Sequence, residues 1–470
     1  MNKLFLSQAN KLLLLSGFAS VTTVVAQSQV NNHPNQPNII FILADDIGYE
    51  AFGCNGGTSY QTPCIDQMAQ QGMLFTQAYS QPLSAPSRVQ LMTGKYNFRN
   101  YEGFGVMSPE TETFGDLMKD AGYITGITGK WQLHGNAGQI KLAGKVGSLP
   151  KEVGFDHYFI WHSSFPYMEI PDTFKTRNSM LAVTETRQRE SRYKDPVILS
   201  EDGKFTYHDQ YGPDLFLRWA ENFIEENKDK SRPFFLYYSM VLMHDPFQAT
   251  PDSKDWEKSN WKDASDPKYF GDMMSYMDKI IGRVIKKIED AGIADNTLII
   301  FTGDNGTNRK IVSTWNNQQI RGDKGSPKEW GIHVPFIAYW KNHIKSGSMN
   351  ENMIDFTDLL PTFLEAAGSK IPTGYQCDGL SFYDQLLGKE DAQKRDWSFG
   401  YYDAKWTENF EKAVWIQDSS HTWKLYQNGN FYNLKKDPNE TTPLQDDELT
   451  KQGKSIKKRL ASQIEQILNS

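Results

Sequence analysis

The chain has 470 residues, 39% hydrophobic and 13% aromatic, enough to bury one large core and a smaller satellite. Its formal net charge is −7 with no long basic run, which excludes a nucleic-acid partner held through phosphate contacts. An anionic ligand would therefore need a local cationic pocket.

The N-terminus sets Lys3 and Lys11 before an apolar run from Leu12 to Val25 that closes on Ala26. The run is shorter than the ~20 apolar residues of a spanning helix, and a polar stretch from Gln27 to Gln36 follows. Residues 1–26 therefore read as a signal peptide cleaved after Ala26, and the mature protein as exported to the periplasm or secreted without a stable membrane anchor. Four apolar runs then have the character of buried parallel strands, each ending in polar residues. They are Asn38 to Ala44 before Asp45-Asp46, Tyr123 to Thr128 before Gly129-Lys130, Pro233 to Met243 before His244, and Thr297 to Thr302 before Gly303-Asp304-Asn305-Gly306. Between them, Phe216, Trp219, Ala220 and Phe223 form one helical stripe. Met277, Ile280, Ile281, Val284, Ile285 and Ile288 form another, closed by Gly292.

This alternation predicts an α/β fold with a mainly parallel central sheet flanked by helices. From about Lys394 short aromatic segments predict a small antiparallel sheet with a hairpin at Asn428-Gly429, and a last amphipathic helix carries Ile456, Leu460, Ile464, Ile467 and Leu468. The expected organisation is an α/β domain over residues 27–390 and a C-terminal subdomain over 391–470. Cys54, Cys64 and Cys377 lack metal-type spacing and read as structural thiols, with a Cys54–Cys64 bridge as the alternative.

In such sheets ligands bind beyond the carboxyl ends of the strands, where these polar clusters fall. Asp45, Asp46, Asp304 and Asn305 offer hard oxygen donors, which favour calcium or magnesium over zinc. Either pair alone reads equally well as a turn after a strand. Arg88, Lys130, Lys324 and His244 supply the cationic side, with Arg88 placed at the opening of a helix whose free N–H groups favour an anion. A metal facing several cations suits a tetrahedral oxyanion, sulfate or phosphate.

The segment Ser84-Ala85-Pro86-Ser87-Arg88, followed by Met92-Thr93-Gly94-Lys95, resembles the signature of the formylglycine-dependent type I sulfatases of the alkaline-phosphatase-like superfamily. Further matches follow in order along nearly the whole chain. They include Asp45-Asp46-Ile47-Gly48-Tyr49, Gly129-Lys130-Trp131, Met243-His244-Asp245-Pro246, Gly303-Asp304-Asn305-Gly306, Asp323-Lys324-Gly325 and Asp355 to Thr362. The resemblance implies an alkaline-phosphatase-like fold and a sulfatase whose Ser84 is oxidised to formylglycine by a maturation enzyme, a transient partner. It implies one calcium ion on Asp45, Asp46, Asp304, Asn305 and residue 84. It makes Arg88 a stabiliser of the aldehyde hydrate, Lys130 and Lys324 sulfate ligands, and His244 the candidate general acid.

Two positions depart from the pattern. Gln132 stands where the family often has histidine and cannot act as a base. His134, on the same face of an extended segment, is the candidate replacement or a substrate contact. His333 precedes Val-Pro where arginine is common, and is expected to pack outside the site. Aromatic segments at Tyr158 to Tyr167 and Tyr401 to Trp406 suggest stacking on sugar rings, so the expected substrate is a sulfated polysaccharide or its oligosaccharides. The alternatives are a phosphate or phosphonate ester hydrolase of the same superfamily and a non-catalytic sulfated-glycan binding protein.

Overall fold

The computed structural model describes residues 36–162, 192–258, 265–405 and 412–470. The expected signal peptide, Ser163 to Tyr167 and Trp406 lie outside the described residues. Ten described strands form one sheet: β1 (Asn38–Ala44), β2 (Met73–Phe75), β3 (Ile124–Lys130), β4 (His157–Trp161), β5 (Val197–Ser200), β6 (Gly203–Thr206), β7 (Phe234–Ser239), β8 (Thr297–Gly303), β9 (Phe336–Tyr339) and β10 (Ser348–Asn350). Their spatial order is β10-β2-β9-β8-β1-β7-β3-β4-β5-β6. The five strands β8, β1, β7, β3 and β4 run parallel, while β9 reverses on one side and β5 on the other.

The unbroken hydrophobicity of β1 follows from burial on both faces. Ile40 and Ile42 enter one core with helices α1 (Pro63–Gln71), α3 (Gly212–Asn227) and α4 (Phe270–Asp290). Ile39, Phe41 and Leu43 enter the other with α2 (Ser84–Thr93) and α5 (Leu359–Ala366). Near the C-terminus, strands β11 (Trp397–Tyr402), β12 (Ala413–Asp418), β13 (Trp423–Tyr426) and β14 (Phe431–Asn433) form the expected antiparallel sheet. Its hairpin turns at Gly429, φ 93°, and Leu460, Ile464 and Ile467 of α6 (Lys451–Leu468) cover it. The three cysteines are free thiols, not a bridge.

The third apolar run is shorter as a strand than its sequence suggests, because β7 stops at Ser239. Met240 to Met243 stay buried by crossing the end of β1. The Met240 N–H donates to the Leu43 carbonyl at 2.8 Å, and the Asp45 N–H donates to the Leu242 carbonyl at 2.8 Å. That crossing carries His244 over the strand ends.

His333 packs away from the strand ends, its ring stacked on Tyr49 at 4.0 Å. Its Nδ1 lies 2.7 Å from the buried Glu329 carboxylate and its Nε2 3.0 Å from the Thr76 carbonyl. Each ring nitrogen thus faces an acceptor oxygen. Burial alone would raise the Glu329 pKa, but His421 and His333 overrule it and hold the carboxyl at about 2. Because folding lowers this pKa, the stabilisation is complete above about pH 4.5 and is lost as pH falls toward 2. Glu329→Gln should cost about 3 kcal/mol in urea unfolding at neutral pH. The gap to the unsubstituted protein should narrow as pH is lowered from about 5 toward 3, and a constant gap would contradict the pairing.

Candidate active site

The register of β1 and β8 pairs Ala44 with Gly303, so Asp45 and Asp304 leave the sheet side by side. The Asp46 N–H then donates to Asp304 Oδ1 at 3.0 Å, with Asp46 in the left-handed region at φ 60°, a conformation aspartate tolerates better than most residues. Asn305 Nδ2 donates to Asp46 Oδ1 at 3.1 Å and to the Gly306 carbonyl at 2.9 Å, which leaves Asn305 Oδ1 facing Ser84. On the other flank Gly129 takes φ 100°, and a Cβ there would sit 1.9 Å from the Ser239 carbonyl oxygen. Only glycine lets β3 pass β7 at this point and deliver Lys130.

Ser84 is the first residue of α2, behind Leu83 as N-cap. Its Oγ lies 3.1 Å from Asp45 Oδ1 and 3.1 Å from Asn305 Oδ1. The expectation that Arg88 opens the helix is corrected: Arg88 lies one turn in, and the free N–H groups at the helix start belong to the turn that Ser84 begins. From there the Arg88 guanidinium donates to Asp304 Oδ2 at 2.9 Å, to the Tyr237 hydroxyl at 3.4 Å and to the Ser239 hydroxyl. Pro86 sits in the first turn, where its missing N–H breaks no helical bond.

The other cations close the ring. Lys130 Nζ is 2.7 Å from Asp45 Oδ1, Lys324 Nζ 2.6 Å from Asp46 Oδ2, and His244 Nε2 3.7 Å from Asp46 Oδ2. Asp45, Asp46 and His244 each place one ligand atom within 4.8 Å of the others. Asp45, Asp46, Asp304 and Asn305 have no solvent exposure, whereas Lys324 keeps 18% and His244 25% of their side chains exposed. These two are the most exposed of the charged side chains gathered here.

Burial works to raise the Asp45 carboxyl, but Lys130, His244, Arg88 and Arg192 hold it well below the usual carboxylate range. Burial and the neighbouring Asp45 charge push Asp304 up to about 6 despite Arg88 and Lys130. Burial lowers the Lys130 pKa to about 8, with Arg88 and Arg192 adding to the shift against Asp45 and Asp304. Burial with the Arg192 and Lys324 charges brings His244 down to about 3, against the pull of Asp46. Its Nδ1 contacts the Asp245 carbonyl at 2.6 Å, so Nδ1 carries the proton and Nε2 faces the acids.

Six of the cationic and acidic residues expected from the sequence thus meet around Ser84 with Asn305 and His244. His134 is not among them. Gln132 takes φ 52°, so residues 132 and 134 do not share an extended face. His134 is buried beside His162, at 5.8 Å between ring centroids, and burial followed by that neighbour lowers its pKa to about 3. Among the described residues no hydrogen bond ties it to the acids. Sequence reasoning missed Tyr237 and Ser239, although the two-residue period of β7 puts both on one face, toward Arg88. It also missed Arg192, whose NH1 lies 3.3 Å from Asp45 Oδ2 and which no motif marks.

The sulfatase family model matches residues 37–369, well over half of the chain. The chain belongs to the sulfatase family. A second model, the C-terminal region of N-sulphoglucosamine sulphohydrolase, matches residues 323–470 of this sulfatase. N-acetylgalactosamine-6-sulfatase of Canis lupus familiaris is 29% identical over 390 residues, spanning 78% of this chain and 69% of that protein. Arylsulfatase A of Bos taurus is 30% identical over 366 residues, spanning 75% and 68%. The crystal structure of Ps i-CgsB, also solved with k-i-k-neocarrahexaose, superposes at a TM-score of 0.71 with 25% identity and 92% of each chain covered. The sulfatase is a sulfuric ester hydrolase with the alkaline-phosphatase-like fold. Its Arg88 pairs a carboxylate with no exposure, so Arg88→Met should cost about 3–5 kcal/mol in unfolding free energy. Arg88→Lys should cost less, and an unchanged melting temperature in Arg88→Met would contradict a structural role for the pair.

Proposed function

We propose that this exported enzyme hydrolyses sulfate esters of a sulfated polysaccharide or its oligosaccharides, using a formylglycine made from Ser84 by a maturation enzyme. The observation that carries the reading is Ser84 Oγ at 3.1 Å from both Asp45 and Asn305, with Lys130 and Lys324 bound to the same acidic cluster. The carbohydrate is supported by the neocarrahexaose complex and the N-acetylgalactosamine-6-sulfatases among the relatives. Residues 27–390 form the catalytic domain and 391–470 the C-terminal subdomain in this reading.

The donor set fits one calcium ion: Asp45, Asp46, Asp304, Asn305 and residue 84 present hard oxygens without thiolate. The crowding that pushes Asp304 up to about 6 is what a divalent cation would relieve. Calcium, when bound, neutralises the acids and acidifies a hydroxyl placed on it. A formylglycine at residue 84, once hydrated, would supply one hydroxyl to attack sulfur as the ester's alcohol leaves and a second whose loss of a proton would let the aldehyde re-form with release of sulfate.

Lys130 and Lys324 bind sulfate oxygens and offset the charge that builds as the ester bond breaks. Arg88 holds Asp304 and the wall beneath residue 84. His244 aims Nε2 at the leaving oxygen, because Nδ1 is committed to the Asp245 carbonyl. Its ring is neutral while the cations around it are uncompensated, and the negative charge of a bound ester favours the protonated ring that donates to the alcohol.

Protein produced with a formylglycine-generating enzyme should yield a Ser84 peptide lighter by two hydrogens and should cleave aryl sulfate far faster than the matching aryl phosphate. Ser84→Ala should lower kcat/KM on the aryl sulfate by about 10⁴-fold or more. A modified peptide with higher turnover of the phosphate ester would overturn the sulfate assignment. A modified protein that turns over neither ester would support a glycan-binding role instead.

A further inference from the structure

Arg192 reaches the site from a segment that carries none of the motifs read in the sequence. Its NH1 contacts Asp45 Oδ2 at 3.3 Å, while Asp45 Oδ1 receives Lys130 at 2.7 Å and Ser84 at 3.1 Å. The guanidinium carbon lies 4.2 Å from the centroid of the Trp161 ring. Trp161 ends β4 and pairs in register with Lys130, so the ring is a shelf fixed beside the lysine. The Tyr193 hydroxyl donates to the Val241 carbonyl at 3.0 Å and the His244 carbonyl at 2.5 Å, which ties the Arg192 backbone to the loop bearing His244. Arg192 is only 8% exposed.

The two arginines of the site are used differently. Arg88 is spent on Asp304, Tyr237 and Ser239, and lies 2% exposed beneath the cluster. Arg192 makes one single-pronged contact, longer than those of Lys130 and Lys324. Among the described residues its second terminal nitrogen makes no hydrogen bond. A guanidinium has five N–H donors in a planar fork suited to an oxyanion, so Arg192 keeps donor capacity that Arg88 has used. Charge points the same way: Asp45, Asp46 and Asp304 are outnumbered by Arg88, Lys130, Lys324 and Arg192. The side chains alone therefore sum to one net positive charge, to which Arg192 contributes as one of the four cations. Gln132, two residues beyond Lys130, is neutral.

We infer that Arg192 is a substrate-binding residue, whose guanidinium, oriented by Trp161, donates to a non-bridging oxygen of the sulfate group from the Lys130 side of the cluster. The inference rests on the sulfatase reading above. Lys130 and Arg192 then grip the anion from the Asp45 side while Lys324 and His244 face it from the Asp46 side. The same contact holds the inorganic sulfate product, so Arg192 also governs product inhibition.

The test compares the unsubstituted protein with Arg192→Met and Arg192→Lys, all matured and calcium-loaded. Inorganic sulfate binding is measured by calorimetry, calcium content by atomic emission, and kinetics with an aryl sulfate. Arg192→Met should weaken sulfate binding at least about 10-fold and raise KM for the ester by a similar factor, with calcium content unchanged. Arg192→Lys should restore part of both, since it keeps the charge but not the fork. Sulfate binding by Arg192→Met equal to that of the unsubstituted protein overturns the inference. So does a parallel loss of calcium, which would make Arg192 a prop for Asp45. If the unsubstituted protein binds sulfate through Arg192 yet cleaves no sulfate ester, the catalytic reading fails and the anion contact stands.

Discussion

Three carboxylates without solvent exposure, Asp45, Asp46 and Asp304, are gathered at the end of a parallel sheet, and the rest of the site is organised by that constraint. A buried ionised carboxylate costs several kcal/mol unless paired, and like charges at this range add to the cost. The fold meets it with Arg88 from below, Lys130 and Arg192 on Asp45, and Lys324 on Asp46. Even so, the compensation is uneven. Asp45 is held well below the usual range while Asp304 is pushed up to about 6, so the cluster still has room for positive charge on the Asp304 side. Buried acids and the cations that outnumber them are the features on which the proposed metal and sulfate sites rest.

The sheet explains why so many charged groups reach one point. Adjacent strands β8, β1, β7 and β3 all run in the same direction; β8, β1 and β3 end at one edge in polar residues, and the apolar crossing after β7 brings His244 to the same edge. Burial on both faces makes these strands rigid, and the hydrogen bonds at their ends, Asp304 N–H to Ala44 and Met240 N–H to Leu43, lock the turns that follow. Ser84 comes from elsewhere, on the first turn of α2, so the helix packs it against acids delivered by the sheet. Arg88 links the two, being on the helix and bonded to Tyr237 and Ser239 of β7 and to Asp304 beyond β8.

Much of this was legible in the sequence because buried parallel strands write themselves as uninterrupted apolar runs. β1 ends at the residue the sequence suggests, and β3 and β8 within two residues of it. The run from Pro233 to Met243 misled, since burial beneath a crossing loop looks the same as burial in a strand. Motif order exposed the acids, Ser84, Lys130, His244 and Lys324, because each is bound to a local turn chemistry of strand ends or a helix start. His134 could not be placed without the positive φ at Gln132, which nothing in a polar residue's identity announces. Arg192 was invisible for a different reason: it reaches Asp45 from a distant segment by tertiary packing on Trp161, and neither periodicity nor spacing encodes that approach.

The most direct test of the account is a crystal structure of the matured protein grown with calcium and sulfate, with anomalous differences used to locate the ion. The account predicts one calcium peak enclosed by Asp45, Asp46, Asp304, Asn305 and residue 84, with sulfate beside it on Lys130, Lys324 and the exposed edge of His244. An ion bound elsewhere, or a cluster in which the lysines stay on the aspartates and sulfate is excluded, would contradict it.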